Sequence, residues 1–123
     1  MKLYTNGPGN VFAQTSLVAA DLAGVPVQII TMDPEAAKAK EFAAKNLTGK
    51  FPLLETANGE LIFESLAIAE FFAAHAPTSG LHGQTPFQAA QVAQWIAYVQ
   101  TSLWAAVGPV AYVEFGRKEA TKD

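Results

Sequence analysis

NLTGKFPLLETANGELIFESLAIAEFFAAH, residues 46–75, decides the fold. It begins as a loop over residues 46–50, and Phe51-Pro52 leads into a short apolar strand at 53–56. Ala57-Asn58-Gly59-Glu60 reads as a hairpin turn, because an Asn-Gly pair reaches the backbone angles that tight turns between strands require. Residues 61–63 are the partner strand. From 65 to 75 the spacing predicts a helix with Leu66, Ile68, Phe71 and Phe72 placed almost all round it, hence a buried one. Ser65 is its expected N-cap.

Working outward toward the N-terminus, residues 2–5 are short and β-prone, and Asn6-Gly7-Pro8-Gly9-Asn10 is a dense turn signal. Residues 11–23 read as a helix, with Val11, Ala13, Leu17, Val18 and Leu22 near helical spacing and Gly24 closing it. Residues 27–31 are rich in β-branched side chains and read as a buried strand. Asp33-Pro34 starts a polar, exposed helix over 35–45, an acid at the cap followed by proline where a missing N–H does no harm. The order β-α-β-α-β-β-α over residues 1–76 predicts an α/β, thioredoxin-like domain.

Toward the C-terminus, residues 77–84 form a linker with Pro77, Gly80 and Gly83. Thr85-Pro86-Phe87-Gln88 is a capping box, opening a helix to residue 107. Val92, Ile96, Val99, Leu103 and Val107 make one stripe, which Trp95, Tyr98 and Trp104 widen. Gly108-Pro109 is expected to end it, leaving a short apolar piece at 110–115 and a polar tail at 116–123. Residues 85–123 thus read as the first long helix of an all-α second domain that is incomplete. Such an apolar stripe needs cover, so self-association through the helix 85–107 or a protein partner is expected.

Composition closes off several functions. The chain has no cysteine, which excludes disulfides, dithiol redox chemistry and zinc–thiolate sites. Its net charge is -3 with no basic stripe, so neither nucleic acid nor an anionic membrane is an expected partner. No secretory signal and no apolar run of membrane-spanning length are read, and a cytoplasmic location is expected. His75 and His82 lack the carboxylate company of a metal site, and none is expected. Ser16 and Ser65 lack a histidine at nucleophile-elbow spacing, which argues against a serine hydrolase.

Three segments carry candidate chemistry. A cis bond expected at Pro52 would leave the Phe51 backbone open to an extended peptide, with the Lys50 cation beside it for a carboxylate. Glu64 and Ser65 stand where a helix N-terminus offers N–H groups to an anion, and Glu64 can receive an ammonium. The small, polar loop 6–10 leads into the first helix over the same place. Each also has a plainer reading: a solvated lysine, a self-capping helix, a connecting turn. Tyr98, Ser102 and Trp104 read as core rather than as pocket lining. Together the three segments suit a short peptide with two carboxylates and an amine.

The stretches NLTGKFPLLE (46–55), GELIFESLAIAEFFA (59–73) and FQAAQVAQWIAYVQTSLWAAVGP (87–109) resemble glutathione-transferase-like proteins, above all the N-terminal domains of the elongation factor 1-gamma family. GPGN (7–10) with LVAADLAGV (17–25) is similar as well. The resemblance implies glutathione as ligand or substrate, with no other cofactor. Lys50 would meet its glycyl carboxylate, Phe51 before Pro52 would pair with its cysteinyl backbone, and Glu64 and Ser65 would hold the γ-glutamyl end. It implies a scaffold in the elongation factor 1 complex that anchors the guanine-nucleotide-exchange subunit in translation elongation. The alternative is a glutathione transferase acting on electrophiles. Family enzymes activate the glutathione sulfur with a Tyr, Ser or Cys in the first loop; here Asn10 fills that slot, with Thr5 as an outside candidate. Asn has no hydroxyl to stabilise a thiolate, so weak activity or none is expected.

Overall fold

The computed structural model describes residues 1–114; residues 115–123, with the end of the 110–115 segment and the polar tail, lie outside the described residues. The chain divides into two compact units, Met1–His82 and Gly83–Asp123.

The first unit is a mixed sheet of four strands: β1 (Lys2–Thr5), β2 (Gln28–Thr31), β3 (Leu53–Glu55) and β4 (Leu61–Phe63). Their order across the sheet is β2-β1-β3-β4, with β2 parallel to β1 and the other pairs antiparallel. The helices are α1 (Val11–Leu22), α2 (Pro34–Lys38), α3 (Lys40–Lys45) and α4 (Ser65–His75). This is the α/β thioredoxin-like arrangement, followed by an all-α segment.

Side chains alternate across β1, and the alternation assigns the two faces of the sheet. Leu3 faces the same way as its cross-strand partner Leu54 and joins the core with Ala13, Ala19, Ala20, Ile68 and Phe72 from α1 and α4. Tyr4 points the other way, toward Phe42 of α3, with ring centroids 5.2 Å apart. The hairpin turn forms as expected, with Gly59 at φ 82° and its N–H bonded to the Thr56 carbonyl at 3.1 Å.

Several expectations need correction. The large apolar residues of α1 do not make its buried face: Val11, Val18 and Leu22 are exposed, while Ala13, Ser16, Ala19 and Ala20 are buried. Small residues there let α1 and α4 approach closely, and Ser16 spends its hydroxyl on the Ser65 carbonyl at 3.2 Å. β2 is not a buried strand but an edge strand, paired only with β1, and Ile29 stands exposed. The helix expected at 35–45 is two helices, broken at Ala39, whose ψ of 135° is extended. Nothing in the local sequence demands that break. It belongs to tertiary structure, since α3 turns its one buried side chain, Phe42, onto the sheet. Ser65 is the first helical residue of α4 rather than its cap, because the chain leaves β4 through Glu64 at φ 70°.

The second unit is helical from Pro86 to Glu114: α5 (Pro86–Tyr98), a π-helical stretch (Val99–Leu103) and α6 (Trp104–Glu114). The capping box forms as read, Thr85 accepting from the Gln88 N–H and the Gln88 side chain accepting from the Thr85 N–H. Gly108-Pro109 does not end the helix. The Trp104 indole lies where a side chain on Gly108 would stand, at 3.2 Å, and meets Tyr112 edge to face at 5.9 Å, so packing spans the proline. The continuous helix therefore has 29 residues and is, by length and composition alone, long and apolar enough to cross a membrane, contrary to the sequence expectation. Trp95, Tyr98, Val99, Leu103, Val107 and Val110 are exposed along it. Tyr98 and Ser102 are thus surface residues, not core, and Trp104 is half-buried.

Candidate functional site

Strand register brings the three candidate segments to one end of the sheet. Leu53 is paired with Tyr4 on one side and with Phe63 on the other. Pro52, Thr5 and Glu64 each follow one residue beyond those pairs, so the 50–52 loop, the 6–10 loop and the start of α4 lie side by side. The hairpin turn 57–60 is at the opposite end of its strands.

The Phe51–Pro52 peptide bond is cis. Phe51 makes no backbone hydrogen bond among the described residues, while its ring stacks on Phe42 at 5.8 Å. Lys50 is exposed, and its ammonium makes no ion pair among the described residues. At the head of α4 no side chain caps the first turn, so its N–H groups stay open. The Ser65 hydroxyl, half-buried, makes no hydrogen bond among the described residues, and its carbonyl is the one held by Ser16. Glu64 is exposed, and its positive φ is one that a non-glycine residue adopts only under strain.

Asn10 has a structural duty. Its Oδ1 caps α1, accepting from the Phe12 and Ala13 N–H groups at 3.0 Å each, and its Nδ2 donates to Asn6 at 2.6 Å. A carboxamide has two N–H bonds, so one makes no hydrogen bond among the described residues. Thr5 is buried, and its hydroxyl donates to the Gly7 carbonyl at 3.2 Å. The Thr5 hydroxyl proton is thus spent, whereas Asn10 keeps one N–H.

On the Tyr4 face of the sheet is a polar network that the sequence pattern does not name. The Tyr4 hydroxyl donates to Glu55 at 2.7 Å, and Lys45 reaches the same carboxylate oxygen at 3.0 Å. The hydrogen bonds from Tyr4 and then Lys45 hold the Glu55 carboxyl below its ordinary value. Burial, with Glu55 beside it, pushes the Tyr4 phenol up to about 12. Only the alternation of β1 and β3 hinted at this, by putting Tyr4 and Glu55 on one face. The two histidines lie apart from this network, His75 against the Phe71 ring at 4.4 Å and His82 beside Glu70 at 3.1 Å.

Comparison with known proteins places this architecture. Over residues 1–74 the sequence matches the family Glutathione S-transferase, N-terminal domain. The chain belongs to that family. Among similar solved structures of the glutathione transferase fold is a glutathione transferase homolog from Sulfitobacter, solved with bound glutathione. It is 25% identical with a TM-score of 0.77, over 99% of this chain and 57% of that one. A possible glutathione S-transferase from Rhodopseudomonas palustris is 30% identical with a TM-score of 0.75, over 91% of this chain and 49% of that one. Among curated relatives, elongation factor 1-gamma 2 of rice, Oryza sativa subsp. japonica, is 33% identical over 89% of this chain. Human elongation factor 1-gamma is 33% identical over 98% of it. The chain spans 27% of the rice protein's length and 29% of the human one's. The Sulfitobacter match takes in the Pro86–Glu114 helix as part of a glutathione transferase fold.

Proposed function

We propose that this glutathione transferase-family chain binds glutathione at the end of the sheet where β3 and α4 begin, and presents its thiol to electrophiles. Lys50 meets the glycyl carboxylate, the Phe51 backbone pairs with the cysteinyl residue like an added strand, and the open first turn of α4 with Ser65 receives the γ-glutamyl carboxylate. Glu64 takes the ammonium. The observation that carries the reading is the pair of unspent backbone donors, at Phe51 and at the head of α4, at neighbouring strand ends. A similar protein with bound glutathione supports it.

The remaining Asn10 N–H is the donor available to the sulfur. A free thiol ionises near pH ~8.5, and a neutral amide donor lowers that less than a hydroxyl relay, so turnover is slow. Calorimetry with glutathione and a chlorodinitrobenzene conjugation assay test both halves. Binding with slow turnover fits the proposal; no heat of binding defeats it.

A second reading rests on the 33% identity to elongation factor 1-gamma proteins and on the exposed apolar stripe of the Pro86–Glu114 helix. There the domain is a scaffold for a guanine-nucleotide-exchange subunit, and the stripe is covered by protein. Co-purification with that subunit, alongside a conjugation rate equal to buffer, selects the scaffold over the enzyme.

A further inference from the structure

The loop that carries Lys50 is tied by side chains to which no role has been given. Asn46 is 5% exposed. Its Nδ2 donates to the Lys50 carbonyl at 2.8 Å, and its Oδ1 accepts from the Thr48 hydroxyl at 3.1 Å. The Thr48 oxygen in turn accepts from the Lys50 N–H at 3.2 Å. The Gly49 N–H bonds back to the Asn46 carbonyl at 3.1 Å, with Gly49 at φ 64°. At its other end, the Asn46 N–H is fixed to the Phe42 carbonyl of α3 at 2.9 Å. Both backbone groups of Lys50 are therefore spent inside the loop, whereas those of the next residue, Phe51, are not. A buried carboxamide with both ends engaged cannot turn without losing two hydrogen bonds, so the Lys50 peptide has one orientation.

We propose that Asn46 and Thr48 are positioning residues: by clasping the Lys50 peptide they fix where its ammonium emerges, and so set how strongly the site prefers a peptide ending in a glycyl carboxylate. This rests on the glutathione-binding reading above. A loop free to sample several shapes would present the same ammonium at a lower effective concentration to the carboxylate.

Calorimetry on the full chain with two peptides tests it: glutathione, and γ-glutamylcysteine, which lacks the glycine that Lys50 would meet. Thr48→Val removes the hydroxyl while keeping the shape, and Asn46→Asp removes the donor to the Lys50 carbonyl. Each should narrow the preference for glutathione over γ-glutamylcysteine by about three- to tenfold, the range of one to two lost hydrogen bonds. Thr48→Ser should restore the preference. A preference unchanged in Thr48→Val while wild-type chain discriminates between the peptides overturns the proposal and leaves the binding site standing. So does an equal loss for both peptides that follows a fall in melting temperature, the mark of a merely structural role. A wild-type chain that binds neither peptide defeats the site and this proposal together.

Discussion

Two side chains near the α1 and α4 starts separate what the fold needs from what a ligand needs. Asn10 does both jobs with different atoms, its oxygen capping α1 and one N–H left over. Serine is as good an N-cap as asparagine and adds a hydroxyl. Asn10→Ser should therefore leave the melting temperature unchanged and raise the conjugation rate. Asn10→Ala should lose about 1 kcal/mol of stability, the usual loss on removing a cap, together with any turnover. A rate in Asn10→Ser no higher than wild type would remove Asn10 from the thiol's neighbourhood. Glu64 is the reverse case, a residue whose backbone is strained where a ligand is expected. Glycine adopts φ 70° freely, so Glu64→Gly should gain about 1 kcal/mol in denaturant unfolding while weakening glutathione binding. Loss of stability in that variant would mean that the Glu64 side chain holds the fold.

At the level of elements, α3 is joined to the sheet by charge as well as by Phe42. The Glu55 carboxyl lies below its unfolded value, so its contribution is complete above pH ~4.3 and is lost as pH falls through the lowered folded value. The raised Tyr4 phenol acts at the other extreme: its contribution is complete below pH ~10 and fades as pH rises through about 12. Denaturant unfolding of Glu55→Gln between neutral pH and pH ~3 should show a shallower acid decline than wild type, since that carboxyl no longer takes up a proton. Parallel curves would show that Glu55 and its partners add nothing. The existence and order of these elements were legible because each has its own start and stop signals: Asp33-Pro34, Asn58-Gly59, Thr85 with Gln88. Which face an element buries was less so. In α1 the contact is made by Ala13, Ser16 and Ala20, whereas the larger Val18 and Leu22, which helped to mark the helical spacing, are exposed. The break at Ala39 comes just before Phe42 packs on the sheet against Tyr4, a contact that no local window contains. The passage of α6 through Pro109 goes with a local contact instead, Trp104 on Gly108 one turn away, which the breaker signal of Gly108-Pro109 outweighed in the sequence.

For the whole molecule, the candidate site was legible to the extent that it depends on sequence order. Three turn-rich segments, far apart in the chain, had to meet because a strand leads into or out of each of them. What remained hidden were the polar ties between elements: Asn46 under the Lys50 loop, the Glu55 network between β1, β3 and α3, and the Ser16 hydroxyl, all ordinary polar residues until their partners are placed. This geometry makes a spatial prediction. Glutathione bound at the β3 and α4 starts stabilises the native chain by linkage, about 2.7 kcal/mol at one hundred times its dissociation constant, and the melting temperature should rise accordingly. Hydrogen exchange should slow at Phe51 and in the first turn of α4, whose N–H groups are otherwise open. Since global stabilisation slows exchange of the core as well, the informative sites are those that exchange by local opening. The hairpin turn 57–60, at the opposite end of its strands, should keep its rate. Protection that appears along Pro86–Glu114 but not at Phe51 would move the binding surface off the sheet altogether and leave the strand-end site without a ligand.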